Sequence, residues 1–278
     1  MNKLKIALCQ MQIEKEKKKN IEKAIKMLTK AKEKNCNIAV LPEMFNCPYK
    51  NQYFKSYSEI INEVNGGETV KTIKQIAKDL NLYIIAGSIP EIEEGKIYNT
   101  SMIINNEGIL IAKHRKIHLF DINVKDGITF KESDTLTPGN KITLFDTPWG
   151  KLGVMICYDI RFPELSRIMA IKGAKIIFTP AAFNMTTGPA HWDTLFKSRA
   201  LDNQVFMVGV APARNENSNY VSYGNSLITS PWGDIIAKLG AQEDILFSEI
   251  DLDYENKIRE ELPLLKHIRK DIYNLTEI

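Results

Sequence analysis

Cys157 stands where the apolar run Gly153–Ile156 gives way to Tyr158, Asp159 and Arg161, just before Pro163 opens a helix-like stretch. A thiol at the polar rim of a core strand is placed for reaction as well as for packing. It is a nucleophile only as thiolate, so it needs a base or a positive neighbour to activate it. Two other strand ends carry ionisable residues in turn-like settings: Glu43 after Ile38–Leu41, and Lys116 after Ile109–Lys113. In α/β proteins such ends converge over one crevice. Glu43 would supply the base and Lys116 the positive field.

Each residue also has an ordinary structural reading. A lone buried cysteine is usually a small core hydrophobe, and Cys9, Cys36 and Cys47 fit that description well. A Glu after Pro is commonly an exposed turn residue or a helix cap. Lys116 belongs to Lys113-His114-Arg115-Lys116, which could be a solvated basic edge. His114, His118, His191 and His267 offer a rival Cys–His pair, and no spacing singles one out. Taken one at a time, none of these residues compels an enzyme.

The elements that would position them alternate between strand and helix. Strands are expected over Lys5–Cys9, Ile38–Leu41, Leu82–Ala86, Tyr98–Ile104, Ile109–Lys113, Gly153–Ile156, Lys175–Thr179, Val205–Val210, Ser222–Thr229, Asp234–Lys238 and Ile245–Asp251. Helical spacing runs through Ile21–Ala31, Val70–Leu80, Pro163–Lys172 and Ala190–Asp202. The run Glu14–Lys19 reads as a solvated lead-in to the first helix. His118–Gly139 has little periodicity, and a loop of that length is usually functional or disordered. Two turns echo each other, Thr147–Gly150 and Ser230–Gly233, and suggest two similar halves in one unit.

Composition excludes several classes. The net charge of +3, from 37 basic and 34 acidic residues, argues for neither a nucleic-acid nor a membrane partner. No glycine-rich phosphate loop occurs. The four cysteines show neither a C-x-x-C pair nor zinc-ligand spacing, which disfavours a thiol redox protein and leads us to expect a reducing, cytoplasmic setting. The sequons at Asn99, Asn184 and Asn274 then read as chance matches. One α/β domain over residues 1–278 is the expectation.

The stretches LPEMFNCPY (41–49), HRKIHLFD (114–121), ITFKES (128–133) and GVMICYDIRFPEL (153–165) resemble the nitrilase superfamily of carbon–nitrogen hydrolases. FNMTTGPAHWD (183–193), RALDNQV (199–205), the SPWGD turn and the tail ELPLLKHIRKDIY look like its omega-amidase branch, so the likeness runs from Ile6 to Tyr273. The resemblance implies a four-layer α-β-β-α sandwich that pairs into a larger one as a homodimer, with the tail, about 253–278, packed on the domain or on the partner. It implies a triad of Glu43, Lys116 and Cys157, with Glu132 as a second carboxylate beside the lysine. The loop 122–127 departs from the pattern, for it is more polar and has Asn123 where an acid is expected.

The chemistry so implied is hydrolysis of an amide through a thioester, with an amide substrate, water and no cofactor or metal. Lys116 and the Tyr158 N–H would hold the oxyanion, and Glu132 would position Lys116 and the incoming water. The branch implies omega-amides of dicarboxylic keto acids, such as alpha-ketoglutaramate and alpha-ketosuccinamate. Arg161 would clamp the distal carboxylate, with Tyr49, Phe183 and Thr187 lining the wall, unless it forms an ion pair with Asp159 or Glu164; Asp159 reads as structural. The alternatives are an amidase for deaminated glutathione or N-carbamoyl compounds, a nitrilase, and an inactive scaffold of the same fold.

Overall fold

The computed structural model describes residues 3–125, 127–218 and 220–278; Asp126, in the polar loop noted above, lies outside the described residues. At the centre of one sheet, β1 (Lys3–Gln10), β2 (Ile38–Val40) and β3 (Tyr83–Ile85) run parallel. Next to β3 lies β5 (Lys96–Ile104), which also pairs with β4 (Ile89–Glu93) and β6 (Leu110–Arg115). On the other side β1 pairs with β15 (Asp244–Asp251) over eight residue pairs.

The second sheet is built alike. Parallel β10 (Gly150–Val154), β11 (Ile176–Pro180) and β12 (Phe206–Val210) form its centre. They are flanked by β9 (Thr143–Thr147) on one side, and by β13 (Leu227–Thr229) and β14 (Ile235–Lys238) on the other.

Parallel strands covered on both faces read as unbroken apolar runs, which is why their sequences show no alternation. Leu4, Ile6, Leu8, Val40 and Ile85 of the first sheet meet Leu152, Val154, Ile176, Phe178 and Val208 of the second. Outside the first sheet lie α1 (Lys17–Glu33) and α3 (Glu68–Asp79), which bury Leu28, Ala31, Val70 and Ile73 against it. Outside the second, α4 (Pro163–Ile171) and α5 (Gly188–Asn203) bury Met169, Trp192 and Phe196. The four layers are therefore α-β-β-α, as expected.

Several local expectations change. The chain forms a short α2 (Asn51–Tyr57) and the edge strand β4, whose proline and acidic residues hide its strand character. The stretch 118–139 is irregular only in part: β7 (Asp121–Asn123) pairs with β8 (Thr129–Lys131), and a 3-10 turn follows at Glu132–Asp134. Three-residue strands are too short to show a period. Asn123 accepts a hydrogen bond from Thr129 across this ribbon. The expected Ser222–Thr229 strand shortens to β13. The two echoing turns do not mark two halves, since both lie in the second sheet, in its β9–β10 and β13–β14 hairpins. The tail begins with α6 (Leu252–Glu261), whose Arg259 donates to the carbonyls of Ala174 and Gln204. Further on, Glu277 pairs with Lys172 of the same chain. Among the described residues, no helix is long and apolar enough to cross a membrane.

Two local devices set the ends of the strands that matter. Strand β10 stops at Val154, two residues earlier than expected, and Cys157 opens a 3-10 turn, Cys157–Arg161, with its own φ at +48°. Asp159 fastens that turn from within: it accepts from the N–H groups of Ile156 (3.0 Å) and His118 (2.8 Å), and contacts the rings of His114 (3.2 Å) and His118 (2.8 Å). Burial opposes its charge, but hydrogen bonds from the two histidines and the Ile156 N–H outweigh burial and hold the carboxyl well below its usual range. At the end of β2, the chain 86–88 grips the chain 42–45 through Met44 N–H to Ser88 Oγ (3.0 Å) and Phe45 N–H to Ser88 O (3.0 Å). Gly87 adopts φ +43° there, and a Cβ on it would lie 2.0 Å from the Pro42 carbonyl oxygen.

Both devices can be tested. A carboxyl held low in the folded state adds stability above its unfolded value, about 3.9, and that stability is lost as pH falls toward the folded one. Asp159→Asn should therefore cost about 2–4 kcal/mol at pH 7 in urea unfolding. The gap to wild type should narrow below about pH 4; a gap constant down to pH 3 would contradict this account. Gly87→Ala should lower stability by about 2 kcal/mol, roughly 4–8 °C in Tm, because either the added methyl group or the Pro42–Glu43 peptide must move. An unshifted Tm would show that this approach is not tight.

Candidate active site

The strand ends bring Glu43, Lys116, Cys157 and Glu132 into one buried cluster. Along β6, alternation sends Lys113 and Arg115 outward to Glu91 and Glu93, and His114 inward to Asp159. Lys116, next in that alternation, is fully buried, so it is no part of a solvated basic edge. Its N–H donates to the Asn99 carbonyl at 2.8 Å. Its Nζ lies 3.1 Å from Glu43 Oε1, and 3.0 and 2.9 Å from the two oxygens of Glu132. Beyond these two carboxylates, its further polar side-chain contact among the described residues is the Tyr49 hydroxyl, at a long 3.4 Å.

Each carboxylate is held by further donors. Glu43 Oε1 accepts from Asn99 Nδ2 at 2.8 Å, and Oε2 accepts from the Ala182 N–H at 2.7 Å. The Cys157 thiol donates to the same carboxylate. Glu132 accepts from the Tyr49 hydroxyl (2.6 Å) and the Phe120 N–H (2.6 Å). Tyr49 is thus tied into the charged cluster itself, a closer tie than the wall position expected of it.

Electrostatics follow from this geometry. Burial raises the Glu43 carboxyl above its usual range, and Lys116 offsets that only in part. Burial also disfavours the Lys116 ammonium, yet Glu132 and Glu43 more than compensate and keep it charged well beyond the usual lysine range. The Cys157 thiol is pushed well up by burial and by Glu43, with Lys116 acting in the opposite sense. At rest the site therefore holds a protonated thiol against a carboxylate of raised basicity, which is the arrangement for proton transfer during attack rather than before it.

The remaining expected residues flank this centre. Tyr158 follows the thiol in the 3-10 turn and packs edge-on against Phe120, with ring centroids 5.3 Å apart. The Arg161 guanidinium lies 4.9 Å from the Phe183 ring centroid and 5.7 Å from that of Tyr158. It forms no ion pair with Asp159 or Glu164, since Asp159 is occupied by the histidines and Glu164 is exposed on α4. Thr187 sits at the start of α5, where its N–H donates to Asn184 Oδ1 at 3.0 Å and its hydroxyl contacts the same oxygen at 3.4 Å. Among the described residues the rival Cys–His pair does not form: His114 and His118 serve Asp159, His191 meets Arg161, and His267 lies in the C-terminal segment, on a cavity that Cys157 does not line.

Residues that the sequence did not single out complete the site. Asn99 was noted only as a sequon, yet it is buried on Glu43; a polar Asn-Thr-Ser run inside an apolar strand was the available signal. Tyr220 donates to the Ala182 carbonyl at 2.5 Å and packs on Tyr49 with centroids 4.6 Å apart. Nothing in its polar loop marked it. A cavity of about 40 Å³, room for water, borders Glu43, Tyr49, Tyr220 and Ser222. A far larger one, about 1170 Å³, lies between α4 and the C-terminal segment and touches none of the clustered residues.

Comparison with known proteins places the whole chain in one family. The family model for carbon-nitrogen hydrolases matches residues 5–260. The chain is 48% identical to the omega-amidase NIT2-A of Xenopus laevis over 277 residues, covering 100% of this chain and 99% of that one. It is 44% identical to the human omega-amidase NIT2, with 98% of each covered. Among solved structures it is similar to Saccharomyces cerevisiae Nit3, a member of branch 10 of the nitrilase superfamily, with a TM-score of 0.89, 42% identity, and coverage of 96% and 97%. With a thiol, two carboxylates and an ammonium gathered at its strand ends, and with these relatives along its whole length, the chain belongs to the carbon–nitrogen hydrolase family.

Proposed function

We propose that the protein is an omega-amidase, hydrolysing the terminal amide of dicarboxylic keto acids such as alpha-ketoglutaramate and alpha-ketosuccinamate to the keto acid and ammonia. The observation that carries this reading is the buried Cys157–Glu43–Lys116 cluster with an arginine nearby that pairs with no carboxylate among the described residues. The first part suits an amide, and the second suits a substrate with an anionic far end. The likeness to omega-amidases over the full chain supports both.

In this reading Glu43 takes the Cys157 proton as Sγ attacks the amide carbon. Lys116 and the Tyr158 N–H hold the oxyanion. The two carboxylates occupy the short contacts of Lys116 and leave its third proton with a weak partner, so that proton is available to the oxyanion. Glu43 then hands its proton to the departing ammonia, which leaves a thioester on Cys157. Water follows, Glu43 takes one of its protons, and collapse of the second tetrahedral adduct returns the thiol. Glu132, with Tyr49, keeps Lys116 in position. Arg161 holds the distal carboxylate, with Phe183 beneath it and Thr187 on the same wall.

The same proposal treats residues 1–278 as one hydrolase domain working in the cytoplasm, where its four buried free cysteines stay reduced. It includes a homodimer, for Ile171, Leu201 and Trp232 leave apolar side chains exposed on and beside α4 and α5. Sedimentation at micromolar concentration should give twice the 31.7 kDa chain mass; a monomer would remove the dimer from the proposal.

The function is tested by ammonia release from alpha-ketoglutaramate, deaminated glutathione, an N-carbamoyl amino acid and a simple nitrile. The keto-acid amide should be the preferred substrate, and intact mass during turnover should show an acyl adduct on Cys157. Cys157→Ala should abolish both turnover and adduct. Preference for another member of the panel would reassign the substrate, and an active Cys157→Ala protein would refute the mechanism.

A further inference from the structure

We propose that His191 is a positioning residue for specificity: as a neutral hydrogen-bond acceptor it fixes the Arg161 guanidinium in the orientation that receives the substrate carboxylate. This rests on the omega-amidase reading and adds to it the group that aims the clamp.

Arg161 is a half-buried cation whose charge is left open. Burial works against its protonated form, and Cys157, Tyr158 and Tyr220 act in its favour; it stands at the end of the 3-10 turn that Cys157 opens. Among the described residues its polar side-chain contact is with His191, Nη1 to Nδ1 at 3.1 Å. A guanidinium only donates, so Nδ1 supplies the lone pair and the imidazole is neutral, with its proton on Nε2. A carboxylate at that place would satisfy the arginine and compete with the substrate. A neutral acceptor directs the fork without cancelling its charge.

One helix controls this arginine at both ends. From α5, Arg199 donates through Nε to the Ile160 carbonyl at 2.9 Å and through Nη2 to the Arg161 carbonyl at 3.3 Å, which pins the root of the side chain. His191, two turns earlier on α5, meets its head. The turn that carries His191 is itself fixed. Its N–H donates to the Thr187 carbonyl at 2.9 Å, and the adjacent Trp192 is fully buried and donates to the Asn225 carbonyl at 2.8 Å. Trp192 also packs on Phe183, centroids 5.1 Å apart, and Phe183 is the ring beneath the guanidinium. Anchor, platform and acceptor therefore form one rigid assembly. Without the acceptor, the long side chain would have to be ordered afresh each time a substrate bound, which weakens binding and leaves the reacting centre alone.

The test compares KM and kcat for alpha-ketoglutaramate and for pentanamide, an uncharged amide, in wild type, His191→Ala, His191→Asn and Arg161→Met. His191→Ala should raise KM for the keto-acid amide about tenfold relative to that for pentanamide, with the loss in KM rather than kcat. His191→Asn should recover most of it, because Asn Oδ1 falls near the place of Nδ1 and also accepts. In the double variant with Arg161→Met, His191→Ala should add little, since its effect passes through Arg161. If His191→Ala affects both amides equally, or if His191→Asn is no better than His191→Ala, the proposal is overturned. If Arg161→Met itself fails to discriminate between the amides, the clamp of the omega-amidase reading falls first. His191 is exposed, so loss of the fold should not obscure the result, and an unchanged Tm checks that.

Discussion

An ammonium buried away from bulk solvent has to be compensated by charge, and Lys116 is compensated twice, by Glu43 and by Glu132. That excess of negative charge governs the rest of the centre. It keeps the lysine protonated, it keeps the neighbouring thiol neutral until a carbonyl arrives, and it demands donors for every spare carboxylate lone pair. Asn99, Ala182, Tyr49 and Phe120 supply them. Removing any one would leave a buried charge short of a partner, which costs far more than the hydrogen bond itself contributes.

The two-sheet architecture serves this arrangement. Glu43, Asn99 and Lys116 come from the first sheet or its strand ends, and Cys157 and Ala182 follow strands of the second. The cluster therefore forms only when the two apolar inner faces are packed in register. Cys157 and Met44 both adopt positive φ without being glycines, a strained backbone that surrounding structure must impose. For Cys157 that structure is the Asp159 carboxylate with its two histidines; for Met44 it is the chain around Ser88.

Much of this was legible in the sequence. Parallel core strands announce themselves as apolar runs, and the ionisable residues that end them stand out together, though each alone has an ordinary structural reading. Glu43, Lys116 and Cys157 were found that way, and Glu132 through the family likeness. What stayed hidden depends on pairing between distant segments. Asn99 acts through Glu43, 56 residues away in sequence, and Tyr220 acts through Ala182, 38 away. Neither partnership leaves a local pattern. The ribbon at Asp121–Lys131 was missed for another reason, since strands of three residues have no period to read.

The pairing of β1 with β15 has a consequence for the order in which the protein is made. The strand at residues 3–10 leaves the ribosome long before its partner at 244–251. Until then β1 offers an open, apolar edge, the kind of surface that invites pairing with another chain. Contacts this distant in sequence also slow folding, because a long loop must close before they form. Chains halted before β15 would thus keep that edge bare, and synthesis of this protein should lean on holding chaperones until that strand emerges.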